Sequence, residues 1–327
     1  NKRSVYAVLG VQVYKSLDRG ETWSLLSTIT GGGSKTNAFY VSPSDSNLMV
    51  AATGVVDRIM RSADGGATWT QTKAADFTEY GVPLEMDVNK PNDLYFGPED
   101  GQMWTSSDFG ATWSLLSDPN FRSPCDIQVV GDHSEVIWVG DGVTGVGQGQ
   151  MYRSTDGGLN FSLVYSSTGS EIPMISSPHL DPKLGLATHW ASGGVRRTTD
   201  MGASWTVVHP ANSTWGCDFA RDDPNCVLFG LYSGGQAYLS LDGGDTGTWT
   251  TSSLPGTNYG FFAIDRATVL ALQGAGIYKM VNTYTAPTIS TQGLVLTSPV
   301  GGEVWTAGAV HDITWSATNV GLARLEY

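Results

Sequence analysis

Cysteine is scarce in this sequence, and the spacing of its few copies argues against disulfides and zinc. The chain has three cysteines, Cys125, Cys217 and Cys226, so they cannot all pair. If residues 222–225 form a hairpin turn, Cys217 and Cys226 stand four residues out of register, about 13 Å along a strand, which is too far for a disulfide. We expect buried thiols that act as small hydrophobic side chains. No Cys or His spacing resembles a zinc site, and no other cofactor is implied.

Cationic residues and long apolar runs are also lacking. Lys and Arg number 18 against 31 Asp and Glu, which gives a formal charge of −13. Nucleic-acid binding uses stripes of Lys and Arg, so a nucleic-acid partner is not expected. No apolar run approaches the roughly 18 residues that a membrane span needs. The composition is typical of an acidic protein in water outside the cell, with 40% apolar residues available for a core.

What the sequence has in abundance is one repeated turn. The pattern Ser/Thr-x-Asp-x-Gly-x-x-aromatic occurs six times, with two extra residues before the aromatic of the last copy. The copies read SLDRGETW, SADGGATW, SSDFGATW, STDGGLNF, TTDMGASW and SLDGGDTGTW. Their aspartates are Asp18, Asp64, Asp108, Asp156, Asp200 and Asp242, at separations of 46, 44, 48, 44 and 42 residues. A period in the forties predicts a solenoid or a propeller.

The chemistry of one copy indicates a β-hairpin turn. The Asp carboxylate can accept hydrogen bonds from backbone N–H groups just ahead of it, and the Gly two positions later tolerates a positive φ. The aromatic residue then begins the next strand, where a large ring can enter a core. Short β-rich runs precede each copy, so each repeat holds about four strands, as a propeller blade does.

A seventh blade is predicted at residues 268–282, because TVLALQGAGIYKMVN aligns with SVYAVLGVQVYKSLD at residues 4–18. The repeated turn is absent from this last copy. With strands a to d numbered outward from the axis, the inner strands are predicted at AFYVS, LEMDV, CDIQV, PHLDP, CDFAR and FFAID. These are six for seven blades, so we expect blade 1 to lack its inner strand and the chain to be a fragment. The predicted fold is an all-β, seven-bladed propeller.

The six turns resemble the Asp-box, also called the BNR repeat, over residues 1–285. Asp-boxes occur in sialidases, in the xyloglucanase family of glycoside hydrolases, in sortilin-type receptors and in photosystem II assembly factors. The resemblance implies the fold, whereas the activity has to be inferred from a site.

Beyond residue 285 the sequence changes character. Residues 286–295 are polar and turn-rich, which predicts a linker. Residues 296–327 begin LTSPVGGEVWTAGAVHDITW, which resembles the opening of immunoglobulin-like modules in secreted bacterial proteins. The resemblance implies an incomplete β-sandwich module and a longer, secreted or cell-surface, multidomain bacterial protein.

The candidate ligand site is expected on the face opposite the boxes. The boxes are c–d turns, whereas the d–a and b–c loops share the other face, and six near-identical aspartates around a ring are suited to structure rather than to one asymmetric site. Aromatic residues recur in those loops, where they could stack on sugars or on partner side chains; alternatively, they cap the blade core. They are Tyr80, Phe121, Trp190, Trp215, Tyr232 and Tyr259.

Three carboxylates on the inner strands are the catalytic candidates. Glu85, Asp126 and Asp218 align in LEMDV, CDIQV and CDFAR, and period-2 alternation places them on the channel side. Two carboxylates at suitable separation could hydrolyse a glycosidic bond. The alternative is an acidic, hydrated channel lining, which is ordinary in propellers.

The enzymes with this repeat fit the sequence incompletely. A sialidase would need three substrate-binding arginines, but Arg61, Arg153 and Arg197 each directly precede a box, on the opposite face. The xyloglucanase family uses two propellers with a catalytic Asp from each, and its Asp-Ile/Val-Gly-Gly motif is absent. We therefore predict a secreted or cell-surface platform that binds a glycan or a protein. The alternatives are an endo-acting glycoside hydrolase that uses these carboxylates and a purely structural spacer.

Overall fold

The computed structural model describes residues 4–78, 80–142, 147–274 and 276–281, together with two strands at 293–298 and 314–318. The chain forms two compact units, residues 1–282 and residues 283–327. Every regular element among the described residues is a β-strand, so that part of the chain contains no helix that could cross a membrane.

The described residues of the first unit form seven antiparallel sheets, one per blade. The first two blades comprise β1 (Val5–Leu9), β2 (Gln12–Ser16), β3 (Ser24–Thr28), β4 (Lys35–Val41), β5 (Met49–Gly54), β6 (Arg58–Ser62) and β7 (Thr70–Ala74). The third and fourth comprise β8 (Leu84–Met86), β9 (Leu94–Phe96), β10 (Met103–Ser106), β11 (Ser114–Ser117), β12 (Pro124–Val130), β13 (His133–Asp141), β14 (Gln150–Ser154) and β15 (Ser162–Ser166). The last three comprise β16 (Ile175–Ser176), β17 (Gly185–Ala187), β18 (Val195–Thr198), β19 (Thr206–His209), β20 (Thr214–Ala220), β21 (Asp223–Leu231), β22 (Gln236–Ser240), β23 (Thr250–Ser253), β24 (Asn258–Asp265), β25 (Thr268–Gln273) and β26 (Gly276–Val281).

The strand order confirms the predicted seven-bladed propeller. Blades 2 to 6 are four-stranded meanders, whereas β1–β3 and β24–β26 form three-stranded sheets at the two ends of the ring. The inner strand of blade 5 differs from the prediction: it is Ile175–Ser176, and PHLDP follows it. Pro178 and Pro182 cannot donate to a strand ladder, so this segment is poorly suited to an inner strand.

Each box is a self-contained network of hydrogen bonds. In blade 2 the Ser62 hydroxyl donates to Asp64 Oδ1 at 2.8 Å, and the Thr68 N–H donates to the same oxygen at 2.9 Å. The Gly66 N–H donates to Ser62 Oγ at 2.9 Å. The hydrogen bonds that Asp64 accepts from the Thr68 hydroxyl and N–H and from the Ser62 hydroxyl lower its pKa to about 2. The box therefore fixes the c–d turn within its own blade.

Box residues also join neighbouring blades. The Trp69 indole donates to Ser27 of blade 1, and the Trp113 indole to Thr72 of blade 2. The Trp138 indole donates to the carbonyl of Met201 in the fifth box at 3.1 Å. The cores between blades consist of the apolar faces of adjacent sheets, for example Phe77, Phe96 and Phe109 between blades 2 and 3.

The second unit is described only by two paired strands. Here β27 (Gly293–Ser298) pairs with β28 (Thr314–Thr318) in antiparallel fashion, with Leu296 opposite Trp315. The remainder of the predicted linker and immunoglobulin-like module lies outside the described residues.

Candidate functional site

Four of the six predicted aromatic residues form one contiguous group, which we call the aromatic cluster. It consists of Trp190, Trp215, Tyr232 and Tyr259. The Trp190 ring lies 5.8 Å from Trp215 and 5.1 Å from Tyr232, centroid to centroid. Tyr232 lies 5.0 Å from Trp215 and 6.0 Å from Tyr259. These separations are those of favourable edge-to-face and tilted aromatic pairs.

Backbone hydrogen bonds between loops and strand ends position the cluster on the face opposite the boxes. The Trp190 N–H donates to the carbonyl of Glu171 at 3.1 Å, and the Tyr232 N–H to that of Ser213 at 2.9 Å. The Asn258 N–H, next to Tyr259, donates to the Tyr232 carbonyl at 3.2 Å. Blades 5, 6 and 7 therefore hold the four rings on a continuous, hydrogen-bonded base.

The cluster is accessible to a ligand. Tyr259 is 49% exposed, and the other three rings are partly buried with some surface open to water. Tyr80, another of the six predicted aromatic residues, is 53% exposed. Burial raises the pKa of Tyr232, and neighbouring Tyr259 and Tyr80 raise it further.

Phe121 is the exception among the six predicted aromatic residues. Its side chain is 4% exposed and packs 5.1 Å from the rings of both Tyr152 and Phe161. It belongs to the blade core with Ile127 and Val139. The prediction that Phe121 offers a stacking surface is therefore corrected, because its ring points into the sheet packing rather than toward the mouth of the channel.

The three predicted carboxylates line a central cavity of about 590 Å³. Glu85 lies opposite Tyr95, and Asp218 opposite Leu228. In blade 4 the residue at the same level along the inner strand as Glu85 and Asp218 is Gln128, which lies opposite Trp138. Asp126 lies two residues away, nearer the face that carries the aromatic cluster. The predicted alignment of Asp126 with Glu85 and Asp218 is corrected accordingly.

Hydrogen bonds between blades occupy Glu85 and Asp126. Glu85 accepts the Tyr40 hydroxyl at 2.5 Å and the Gln128 amide at 3.2 Å. Asp126 accepts its neighbour's N–H, from Ile127, at 3.0 Å and that of Ile175 in the next blade at 2.5 Å.

Asp218 continues this pattern into the last blade. It accepts the Ala263 N–H at 2.8 Å, the Arg221 guanidinium at 2.8 Å and the Ser176 hydroxyl at 3.3 Å. We call Tyr40, Glu85, Gln128, Ser176 and Asp218 the inter-blade belt. Tyr40, Gln128 and Ser176 were not identified from the sequence. Each is a polar residue of an inner strand that stands level with the residue directly before the Ser or Thr of its blade's box, and this position could have indicated them.

The surroundings of Glu85 and Asp126 favour protonated carboxyls. Burial raises the pKa of Glu85 to about 8, against the lowering effect of the Tyr40 hydrogen bond. Burial also raises the pKa of Asp126 well above its usual range, and nearby Glu85 adds to the effect. Neutral carboxyls whose oxygens already accept hydrogen bonds are suited to joining blades. Among the described residues, no group of His, Cys, Asp and Glu is arranged to hold a metal ion.

Sequence comparison finds two kinds of relative. The family described as Sortilin, neurotensin receptor 3, matches residues 11–137. A xyloglucanase of Paenibacillus sp is 29% identical over 48% of this chain and 18% of its own length. Xyloglucanase Xgh74A of Acetivibrio thermocellus is 30% identical over 37% of this chain and 19% of its own. The chain thus spans less than a fifth of the length of these curated relatives.

Solved structures share the fold. The GH74 enzyme of Niastella koreensis superposes with a TM-score of 0.67 at 20% identity, covering 84% of this chain and 50% of that one. YCF48 bound to D1 peptide superposes with a TM-score of 0.62 at 16% identity, covering 86% and 91%. Together with the six boxes and seven blades, these matches show that the chain is an Asp-box β-propeller, similar in part of its sequence to sortilin-type and xyloglucanase proteins.

Proposed function

We propose that this propeller binds a glycan chain through the aromatic cluster, and that it does so outside the cell. The observation that carries the proposal is the contact between Trp190, Trp215, Tyr232 and Tyr259 on an open face. Aromatic faces offer flat apolar surfaces for the C–H faces of sugar rings, and nearby polar groups orient them. The similarity to xyloglucanases supports a neutral plant-type polysaccharide as the first ligand to test.

The state of the carboxylates supports binding rather than cleavage. Glycoside hydrolysis needs one carboxyl as acid and another as base or nucleophile, both open to the substrate. Asp126 is 4% exposed and its two oxygens accept backbone N–H groups. Glu85 and Asp218 also bond to neighbouring blades. These interactions stabilise the ring and leave little carboxylate surface for a reaction.

Calorimetric titration with soluble xyloglucan tests the proposal. Trp190→Ala and Trp215→Ala are each expected to weaken binding at least about tenfold, since aromatic stacking contributes up to about 1.5 kcal/mol beyond burial. Tyr14→Ala, on β2 outside the cluster, is the control and should leave affinity unchanged. The proposal would be contradicted if the tryptophan variants bound xyloglucan with the same affinity as the unaltered protein. It would also be contradicted if the unaltered protein bound neither xyloglucan nor any of a panel of other polysaccharides.

A glycoside hydrolase is the second candidate, favoured by the xyloglucanase relatives and by the raised pKa of Glu85. It predicts that reducing ends are released from xyloglucan and that Glu85→Gln and Asp126→Asn both abolish the release. Under the binding proposal, the unaltered protein binds xyloglucan without releasing reducing ends.

A further inference from the structure

A buried pair of side-chain amides in blade 7 has no hydrogen-bond partner among the residues that the structure describes. Asn258 on β24 lies directly opposite Gln273 on β25, and the two residues are 1% and 6% exposed. Within the described part of the chain, neither the oxygen nor the nitrogen of either amide has a partner. Folded proteins satisfy the large majority of buried polar side-chain atoms, so four unpaired atoms in one residue pair call for an explanation.

The amide pair lies at the tyrosine end of the aromatic cluster. The Asn258 N–H donates to the Tyr232 carbonyl at 3.2 Å, and Asn258 directly precedes Tyr259. The Tyr259 ring lies against Gly274, 3.6 Å from where a Cβ would be, and Gly274 directly follows Gln273. The unpaired atoms are therefore next to the site proposed to bind glycan.

Two glycines of blade 6 make room for the Asn258 amide. A Cβ at Gly230 would lie 2.6 Å from both Cγ and Oδ1 of Asn258, and a Cβ at Gly216 would lie 2.7 Å from Oδ1. Gly216 directly follows Trp215 of the cluster. The space that surrounds the amide therefore depends on glycine at both positions.

We propose that Asn258 and Gln273 form the polar base of the aromatic cluster and hydrogen-bond the hydroxyl groups of a neutral sugar. This inference rests on the proposed function. Each amide carries an acceptor oxygen beside a donor nitrogen, which matches two adjacent hydroxyls, one donating and one accepting. Neither amide offers a positive charge to pair with a carboxylate, and the chain has a formal charge of −13, so the site favours neutral sugars over anionic uronic acids. Both amides are buried, so the proposal requires the half-exposed Tyr259 ring, which lies against Gly274, to turn outward when the ligand binds.

A double variant, Asn258→Leu with Gln273→Met, tests the inference. The new side chains are apolar and of similar size, and no protein hydrogen bond is lost, so the Tm is expected to stay the same or rise. Affinity for soluble xyloglucan is expected to fall about tenfold, and binding to polygalacturonate should be much weaker than to xyloglucan in the unaltered protein.

Gln128→Met is the matched control, because the Gln128 amide has partners. Its nitrogen donates to Glu85 and to the Val129 carbonyl, and its oxygen accepts the Ser177 N–H. The same chemical change is therefore expected to lower the Tm and to leave xyloglucan affinity unchanged.

Three results would overturn the inference. One is a Tm loss in the double variant as large as in Gln128→Met, since the amides would then already be satisfied inside the protein. Another is unchanged xyloglucan affinity in the folded double variant, or in Gln273→Met if the double variant fails to fold. The third is equal binding of polygalacturonate. If the unaltered protein binds neither xyloglucan nor any other polysaccharide of the panel, or if Trp190→Ala binds with the same affinity as the unaltered protein, the proposed function itself fails. That outcome is distinct from the three results above.

Discussion

Arg19 of blade 1 forms an ion pair with Asp265 of blade 7 and closes the ring on the box face. The same guanidinium donates to the Thr268 hydroxyl at 3.0 Å. Gly20 beside it leaves space for Leu270: a Cβ there would lie 2.8 Å from a methyl carbon of Leu270. Since the sheets β1–β3 and β24–β26 share no paired strands among the described residues, these side-chain contacts help to join the two ends of the ring.

Arg19→Ala is therefore expected to destabilise the propeller. Both partners of the ion pair are partly exposed, so the loss should be about 1 kcal/mol, or a Tm decrease of about 2–4 °C. Thermal unfolding followed by circular dichroism measures the change. Lys15→Ala, on the same blade, is the control. An unchanged Tm in Arg19→Ala would mean that other contacts hold the ends together.

A pair of glycine variants separates backbone strain from steric overlap in the boxes. Gly202 and Gly157 have φ angles of +77° and +73°, so alanine is strained at both positions. A Cβ at Gly202 would lie 2.2 Å from Nε1 of Trp138, whereas a Cβ at Gly157 would meet nothing within 4 Å. Urea unfolding should show a larger loss for Gly202→Ala, by about 1–3 kcal/mol. Equal losses would contradict the close packing of Trp138 under the fifth box.

The box aspartates predict loss of stability in acid. Hydrogen bonds from Thr68 and Ser62 lower the pKa of Asp64 to about 2, below its ordinary value of 3.8. A carboxylate with a lowered pKa in the folded state stabilises it above the unfolded value, and the contribution disappears as the pH falls through the folded value. The Tm should therefore decline between about pH 4 and pH 2, and less steeply in Asp64→Asn. Parallel curves for the two proteins would contradict the assignment.

Glu85 predicts a pH dependence of the opposite sign. Its pKa is raised to about 8 in the folded state, so it stabilises the fold below the unfolded value of 4.5 and loses this contribution as the pH rises through 8. The Tm of the unaltered protein should contain a component that falls from pH 5 to pH 8. Glu85→Gln keeps an acceptor for Tyr40 and should remove that component, whereas Asp118→Asn should not. A Tm profile of Glu85→Gln identical to that of the unaltered protein would show that Glu85 is ionised in the fold.

The sequence predicts the blades well because the box is a local signal, readable from eight residues. It predicts less well at which level along an inner strand a given residue stands. Blades 4 and 6 both contain Cys-Asp, at Asp126 and Asp218, yet the two aspartates stand two residues apart in level. A shift of two residues leaves the alternation of faces unchanged, so periodicity cannot detect it. The residue of blade 4 at the level of Asp218 is Gln128, and this becomes visible only when the strands are paired.

The direction in which an aromatic side chain points is the other property that loop composition does not predict. A comparison of Phe121 with Tyr259 tests it. Phe121 precedes the inner strand of blade 4 and Tyr259 is the second residue of the inner strand of blade 7, but Phe121 is 4% exposed in the core and Tyr259 is 49% exposed on the ligand face. Phe121→Ala should therefore cost about 3–5 kcal/mol of stability, measured by urea unfolding, and leave the xyloglucan affinity of the folded fraction unchanged. Tyr259→Ala should do the reverse, with a small change in stability and a weakened affinity. If Phe121→Ala reduces affinity at full folding, its ring takes part in the site after all, and the boundary of the aromatic cluster must extend to blade 4.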